Sequence, residues 1–240
     1  MAIDTPNTSL SANDKRIFNA LFDPETLPSS VARSKDASTI DDSLPPHPTI
    51  SSSQLSILET QQHDLIRELS STSSKSEIED ALKREHAIVE DWPGYPSAYL
   101  NCAMLHRMNI EASLAKDESV FLGSAKETEA LFDNLALAVK SALPTSSTSA
   151  TTTVSPYQAR ILRTAFSHRA YLYLKASETG VAWDGKSKSE LEELASKDFA
   201  AAARYGDEVA REMSVRTNPY AKMCGAIVKN ALREERQLDR

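Results

Sequence analysis

Hydrophobic residues recur at intervals of three and four from Ser53 onward, which is the spacing of one buried face of an α-helix. Polar, proline-containing or glycine-containing breaks divide this pattern into segments. The segments predict helices near residues 55–69, 78–88, 98–108, 125–143, 157–175, 190–205, 207–215 and 219–235. Since no segment alternates with the two-residue period of a strand, the predicted fold class is all-α.

The first 50 residues follow a different pattern and are predicted to form a mostly disordered arm. The stretch DASTIDDSLPPHPTISSS offers too little apolar surface to offset the loss of chain entropy on folding. A short amphipathic segment interrupts the arm at residues 13–28. Its apolar residues are Ile17, Phe18, Leu21 and Phe22. We interpret the segment as a cap on the first helices. Two alternatives stay open: it blocks the groove described below, or it binds a partner in trans.

Small and aromatic residues stand at regular places on the predicted helices of residues 51–240. Ala195, Phe199 and Ala202 reproduce the alanine and phenylalanine spacing of a tetratricopeptide repeat (TPR), and Ala103 and Ala138 occupy similar places. Small residues of this kind let two helices approach closely. The pattern predicts a TPR-like α-α superhelix of about three helix pairs with a C-terminal capping helix. A generic helical bundle is the alternative.

Several segments also resemble a named family. NDKRIFNALFDP, DFAAAARYG and NPYAKMCG together are similar to the tetratricopeptide repeat protein 36 family, over residues 13–28 and 60–230. The chain differs in long Ser/Thr-rich insertions after Met108, Leu143 and Lys175. The resemblance implies a compact three-repeat protein without enzymatic activity. It also implies a chaperone-linked role, such as binding to Hsp70-type chaperones.

The predicted function is that of a non-catalytic scaffold or adaptor that binds another protein or peptide on its concave surface. The resemblance adds a co-chaperone-like role to this prediction. Met and Tyr beside Arg and Lys suit an adaptable groove for an amphipathic segment. The candidate groove residues are Ser97, Leu100, Asn101, Met104, Arg107, Met108, Arg163, Ser167, His168, Tyr171 and Lys175. The alternatives are a structural subunit of a larger assembly, or a helical metal protein or enzyme.

A clamp for a peptide carboxylate, as in many chaperone-binding TPR domains, needs several cationic and amide donors around the ligand. Only Asn101 matches that pattern, although Arg163 and Arg169 lie close by. We therefore do not expect a complete clamp. For Asn101, the alternative role is a hydrogen bond between helices.

Composition narrows the choice of partners. The chain has only 6 glycines in 240 residues, which disfavours folds built on glycine-rich phosphate loops. Its formal net charge is −7, so we expect no nucleic-acid partner. No stretch approaches the roughly 20 apolar residues of a membrane span, so we expect no membrane partner either.

Candidate chemistry is sparse in the sequence. Cys102 and His106 stand one helical turn apart, but they fall at interior packing positions, and structural zinc takes about four ligands. We found no catalytic motif, and we expect no metal, no cofactor and no catalytic residue. Two distant cysteines and an N-terminus without an apolar leader indicate a cytoplasmic location, with access to the nucleus left open.

Overall fold

The structure is a computed structural model, and it describes residues 40–69, 73–115, 118–144, 153–180 and 183–238. Within these ranges the chain forms α-helices and no strand, which confirms the all-α prediction. The helices are α1 (Ser52–Arg67), α2 (Lys75–Asp91), α3 (Pro96–Glu111), α4 (Ala125–Ala142), α5 (Pro156–Thr179), α6 (Lys188–Arg204), α7 (Glu208–Thr217) and α8 (Pro219–Leu238). None of them is long and apolar enough to cross a membrane. The predicted docking segment, with Ile17, Phe18, Leu21 and Phe22, lies outside the described residues.

Serine residues start most of these helices. Five serines accept a hydrogen bond from the backbone N–H three residues later, and they are Ser51, Ser74, Ser124, Ser155 and Ser187. Each bond satisfies one of the donors that the first turn of a helix leaves free. α5 ends at Gly180, whose φ of 70° lies in the left-handed region that favours glycine. The polar breaks in the sequence are therefore start and stop signals for helices.

Helices that follow one another in sequence also pack against one another, most extensively α3 with α4 and α5 with α6. Alanines stand at these contacts and have no exposed surface: Ala103, Ala138, Ala170, Ala195 and Ala202. A methyl side chain allows two helix backbones to approach more closely than a larger side chain would. The predicted small residues thus lie between helices.

The main core lies between α3, α4 and α5. Leu131, Leu135 and Leu162 have no exposed surface there, and each such side chain contributes about 1.5–3 kcal/mol by leaving water. At one edge of this core, the ring of Trp183 stacks on that of Phe132 with 4.7 Å between the centroids. The loop before α6 is therefore fixed to the core by an aromatic contact.

A buried ion pair joins α5 to α6. The Arg169 guanidinium donates to both carboxylate oxygens of Asp198, with Nε–Oδ2 at 2.6 Å and Nη2–Oδ1 at 2.9 Å. Only 20% of the Arg169 side chain and 11% of the Asp198 side chain are exposed. This two-bond geometry fixes the rotation of one helix against the other.

Residues 40–50, which we assigned to the N-terminal arm, lie against the helices. The Nδ1 atom of His47 accepts the N–H of Ile50 at 3.0 Å, so the proton is on Nε2, which donates to the Gly94 carbonyl at 3.0 Å. The Ser155 hydroxyl donates to the Pro46 carbonyl at 2.8 Å. This segment therefore ties the start of α5 to the turn before α3.

A buried carboxylate lies where α1, α2 and α3 meet. Glu85 has no exposed surface and accepts hydrogen bonds from Gln62 Nε2 at 2.9 Å and Asn101 Nδ2 at 3.1 Å. The Tyr95 hydroxyl donates to the side-chain amide oxygen of Gln62, Oε1, at 2.9 Å and completes the network. Burial raises the pKa of the Glu85 carboxyl, and the two donated hydrogen bonds oppose that rise only in part.

The raised pKa of Glu85 predicts a specific pH dependence of stability. Between the folded-state pKa and the ordinary value of 4.5, folded Glu85 binds its proton while unfolded Glu85 does not, so this group adds stability as the pH falls. Glu85→Gln lacks this contribution. In urea titrations, the free energy of unfolding of the wild type should therefore rise relative to that of Glu85→Gln as the pH is lowered from neutral. The matched variant Glu79→Gln, at an exposed position of α2, should show no such trend. A constant difference between wild type and Glu85→Gln at all pH values would contradict the prediction.

Candidate functional site

A groove of about 900 Å³ lies between α3 and α5. The segment that follows α3 forms a third wall, with a 3-10 turn at Val120–Leu122. Apolar side chains contributed by Leu114, Val120, Leu122 and Leu172 line part of the groove. Sites for small molecules have volumes of roughly 300–1,000 Å³ and mostly apolar walls with a few polar groups. The groove has the dimensions of such a site.

Two cations lie over one aromatic ring in this groove. The Arg107 Cζ atom lies 5.5 Å from the centroid of the Tyr171 ring, and the Lys175 Nζ atom lies 5.7 Å from it. Both distances fall within the roughly 6 Å range of cation–π attraction. Each cation also pairs with a carboxylate on its own helix: Arg107 with Glu111 at 2.7 Å and Lys175 with Glu178 at 2.8 Å. The hydrogen bond from Lys175 to Glu178 raises the pKa of Lys175.

His168 fixes the position of Arg107 from the neighbouring helix. The Arg107 Nη1 atom lies 3.2 Å from His168 Nε2, and because arginine only donates, Nε2 accepts and Nδ1 carries the proton. His168 is 9% exposed. Its burial, together with the adjacent positive charge of Arg107, lowers the pKa of His168 to about 4. The imidazole is therefore neutral at physiological pH and serves as a hydrogen-bond acceptor.

Some predicted groove residues have packing roles instead. Leu100 belongs to the main core, with 8% of its surface exposed. Asn101 donates to the buried carboxylate of Glu85, which is the structural alternative that the sequence left open for it. Met108 packs beside Leu65 in the cluster between α1, α2 and α3.

The other predicted residues lie apart from the cluster around Tyr171. Ser167 donates to the Asp207 carboxylate at 2.5 Å, on the side of α5 that meets α7. Met104 is 43% exposed, Arg163 is exposed and Ser97 is half-buried, and none of the three lines the groove. Of the eleven candidates, the structure brings together Arg107, His168, Tyr171 and Lys175.

Sequence reasoning missed the third wall of the groove. We counted the segment after Met108 among the Ser/Thr-rich insertions, yet it contains the apolar triplet Val120–Leu122, and Val120 is only 9% exposed. That triplet is the signal that would have indicated packing. The acidic partners Glu111 and Glu178 were also missed, although each stands within one helical turn of the basic residue with which it pairs.

The candidate metal ligands are committed to other contacts. Cys102 has no exposed surface, and burial raises the pKa of its thiol to about 12. The His106 Nδ1 atom lies 2.7 Å from a carboxylate oxygen of Glu127, which links α3 to α4. Among the residues that the structure describes, no three His, Cys, Asp or Glu side chains converge as metal ligands would.

Removal of Arg107 should change the titration of His168. In Arg107→Met we expect the pKa of His168 to rise from about 4, because the neighbouring positive charge is gone, and to stay below 6.5, because burial is the larger cause of the shift. Titration of the ring protons by NMR measures this directly. Arg163→Met removes an exposed cation from α5, the helix that carries His168, and should leave the pKa of His168 unchanged. An unchanged pKa of His168 in Arg107→Met would contradict the described contact.

Comparison with known proteins gives one informative relative. No protein-family model matches the chain, and no solved structure matches it significantly. The L-tyrosine degradation gene cluster protein hmgX of Aspergillus fumigatus is 39% identical over 254 aligned positions, which cover 97% of this chain and 96% of that protein. Since the alignment spans almost the whole of both chains, the similarity is not confined to one segment.

This relative corrects two of our predictions. The assignment to the tetratricopeptide repeat protein 36 family is wrong, because the full-length relative is not a protein of that family. The predicted function as a TPR scaffold or co-chaperone is also wrong, because the name of the relative indicates amino-acid degradation instead. Identity of this extent over both full lengths shows common descent. The chain belongs to the family of the L-tyrosine degradation gene cluster protein hmgX.

Proposed function

We propose that the protein takes part in the degradation of L-tyrosine. The observation that carries this proposal is the 39% identity to a protein named for an L-tyrosine degradation gene cluster, over 97% of this chain. Since 97% of this chain is matched, the similarity extends over nearly all of the part that folds into helices. A shared role in the same process is the simplest reason for a match over the whole chain.

We further propose that the chain contributes to this process by binding and not by catalysis. Two groups that could exchange protons or attack a substrate are buried among the helices. The Cys102 thiol is buried with its pKa raised to about 12, and His168 is buried with its pKa lowered to about 4. The groove supplies a shaped cavity with fixed charges, which is what a binding protein requires.

For the architecture, we propose a right-handed superhelix of TPR-like helix pairs. Two observations support it: consecutive helices pack mainly on each other, and alanines such as Ala103, Ala170 and Ala202 are fully buried at helix contacts. Stacked helix pairs bury one continuous core through contacts between neighbours. The proposal concerns the arrangement of helices and implies no kinship with TPR proteins.

We also propose a cytoplasmic location. Both cysteines of the chain are free thiols: Cys102 is buried and Cys224 is exposed. An exposed thiol persists most easily in a reducing compartment. Access to the nucleus stays open.

Complementation tests the proposed role. We expect an A. fumigatus strain that lacks hmgX to consume L-tyrosine from the medium more slowly than its parent. Expression of this chain in that strain should restore most of the lost rate, because the two proteins match along almost their full lengths. The measurement is the concentration of L-tyrosine in the medium over time.

The control variant is Leu162→Asp, which puts a charge at a position with no exposed surface and should abolish folding and complementation together. Purified wild-type chain incubated with L-tyrosine tests the non-catalytic part of the proposal, and the amino acid should remain unchanged. An unrestored rate, despite soluble expression of the wild-type chain, would overturn the role in L-tyrosine degradation.

A further inference from the structure

We propose that the groove between α3 and α5 binds a free aromatic α-amino acid as its zwitterion, with L-tyrosine as the first candidate. The inference deepens the proposed function and rests on it for the choice of ligand. The groove itself supplies the chemistry: two cations, carboxylates beside them, and an aromatic and aliphatic wall. The cations can pair with the carboxylate of such an amino acid, the carboxylates can pair with its ammonium group, and the wall can contact its ring.

The carboxylate of the ligand would bind Arg107 and Lys175. The two cations lie on different helices, on α3 and α5, and both approach the ring of Tyr171. Arg107 is held by the acceptor Nε2 of His168 at 3.2 Å, so its guanidinium is oriented before a ligand arrives. Hydrogen bonds between a cation and a carboxylate are among the strongest that a protein can offer a ligand.

The existing partners of these cations do not prevent this binding. The Lys175–Glu178 pair has side chains that are 43% and 49% exposed, and the Arg107–Glu111 pair has side chains that are 29% and 46% exposed. Exposed pairs within one helix contribute little to stability. A ligand carboxylate can therefore share or replace the glutamates at small cost.

The ammonium group of the ligand would meet the glutamates. The wall of the groove carries three carboxylates, from Glu111, Glu118 and Glu178, and two cations. The Glu118 carboxylate already accepts a hydrogen bond from the backbone N–H of Ala115 at 2.9 Å. Once a ligand carboxylate binds Arg107 and Lys175, Glu111 and Glu178 would lose the cations with which they pair. A ligand that brings its own positive charge restores the balance, whereas a deaminated acid adds one more negative charge to an acidic groove.

The ring of the ligand has an apolar wall to contact. Leu114, Val120 and Leu122 face the groove from the segment after α3, and Tyr171 faces it from α5. Leu122 is 64% exposed and Tyr171 is 40% exposed, so both have surface available for a ligand. Contact with a second ring is favourable for an aromatic side chain beyond the area that it buries.

Calorimetric titration of the purified full-length chain tests the site with four probes. L-tyrosine should bind, and L-phenylalanine should bind with similar affinity because the wall is apolar. Tyramine lacks the carboxylate and 3-(4-hydroxyphenyl)propanoic acid lacks the ammonium group. Each should bind about tenfold more weakly or worse, because each loses one set of charged hydrogen bonds.

Variants locate the site within the chain. Lys175→Met and Tyr171→Ala should each weaken the binding of L-tyrosine by about fivefold or more, given about 1 kcal/mol for a partly exposed charge or ring contact. Lys83→Met is the matched control, since Lys83 forms the same kind of pair with Asp80 on α2, away from the groove. Its affinity for L-tyrosine should equal that of the wild type. Thermal melting verifies that each variant is folded.

Several outcomes would overturn the site. They are no binding of L-tyrosine up to its solubility, equal binding of tyramine, tighter binding of the deaminated acid, or a groove occupied only by peptides. The result is separable from the proposed function. If L-tyrosine binds but the chain does not complement, the role in L-tyrosine degradation is overturned and the site is kept. If the chain complements but does not bind L-tyrosine, the site is overturned and the role is kept.

Discussion

Alanines with no exposed surface lie between the helices from α3 to α6, at Ala103, Ala138, Ala170, Ala195 and Ala202. A larger side chain at any of these positions would hold two helix backbones apart. The close approach that they permit is what the rest of the structure depends on. It brings the leucines of α4 and α5 into one core and lets Arg169 of α5 reach Asp198 of α6 with two hydrogen bonds.

The same constraint shapes the groove. α3 and α5 are separated in sequence by α4, but their packing brings Arg107 within 3.2 Å of His168 and over the ring of Tyr171. The neutral imidazole of His168 then holds the Arg107 guanidinium from α5, in addition to the pair that Arg107 forms with Glu111 on its own helix. The charged groups of the groove therefore owe their arrangement to core packing as much as to their own chemistry, and a ligand would meet groups that are already in place.

How well each feature could be predicted from the sequence depends on how far apart along the chain its residues lie. The helices followed from local spacing, and the structure adds that serines such as Ser74 and Ser187 cap their starts within three residues. The packing of residues 40–50 did not follow, because His47 is held by Gly94, far along the chain. Tyr171 and Lys175 were predicted together because they share a helix face. The wall at Val120–Leu122 was missed because a non-periodic apolar triplet gives no helical signal. The family assignment failed because it rested on the short segments NDKRIFNALFDP, DFAAAARYG and NPYAKMCG, and short matches of this kind do not establish kinship over a whole chain.

The most direct test of the packing constraint is the free energy of unfolding of Ala170→Leu, measured in urea. The account predicts a loss of about 1–3 kcal/mol or more, because three additional carbon atoms must fit where α5 meets α6. Ala87→Leu, at an exposed position of α2, should change the same quantity by no more than about 0.5 kcal/mol. Equal stability of Ala170→Leu and Ala87→Leu would contradict the account, since it would mean that α5 and α6 do not need a small residue between them.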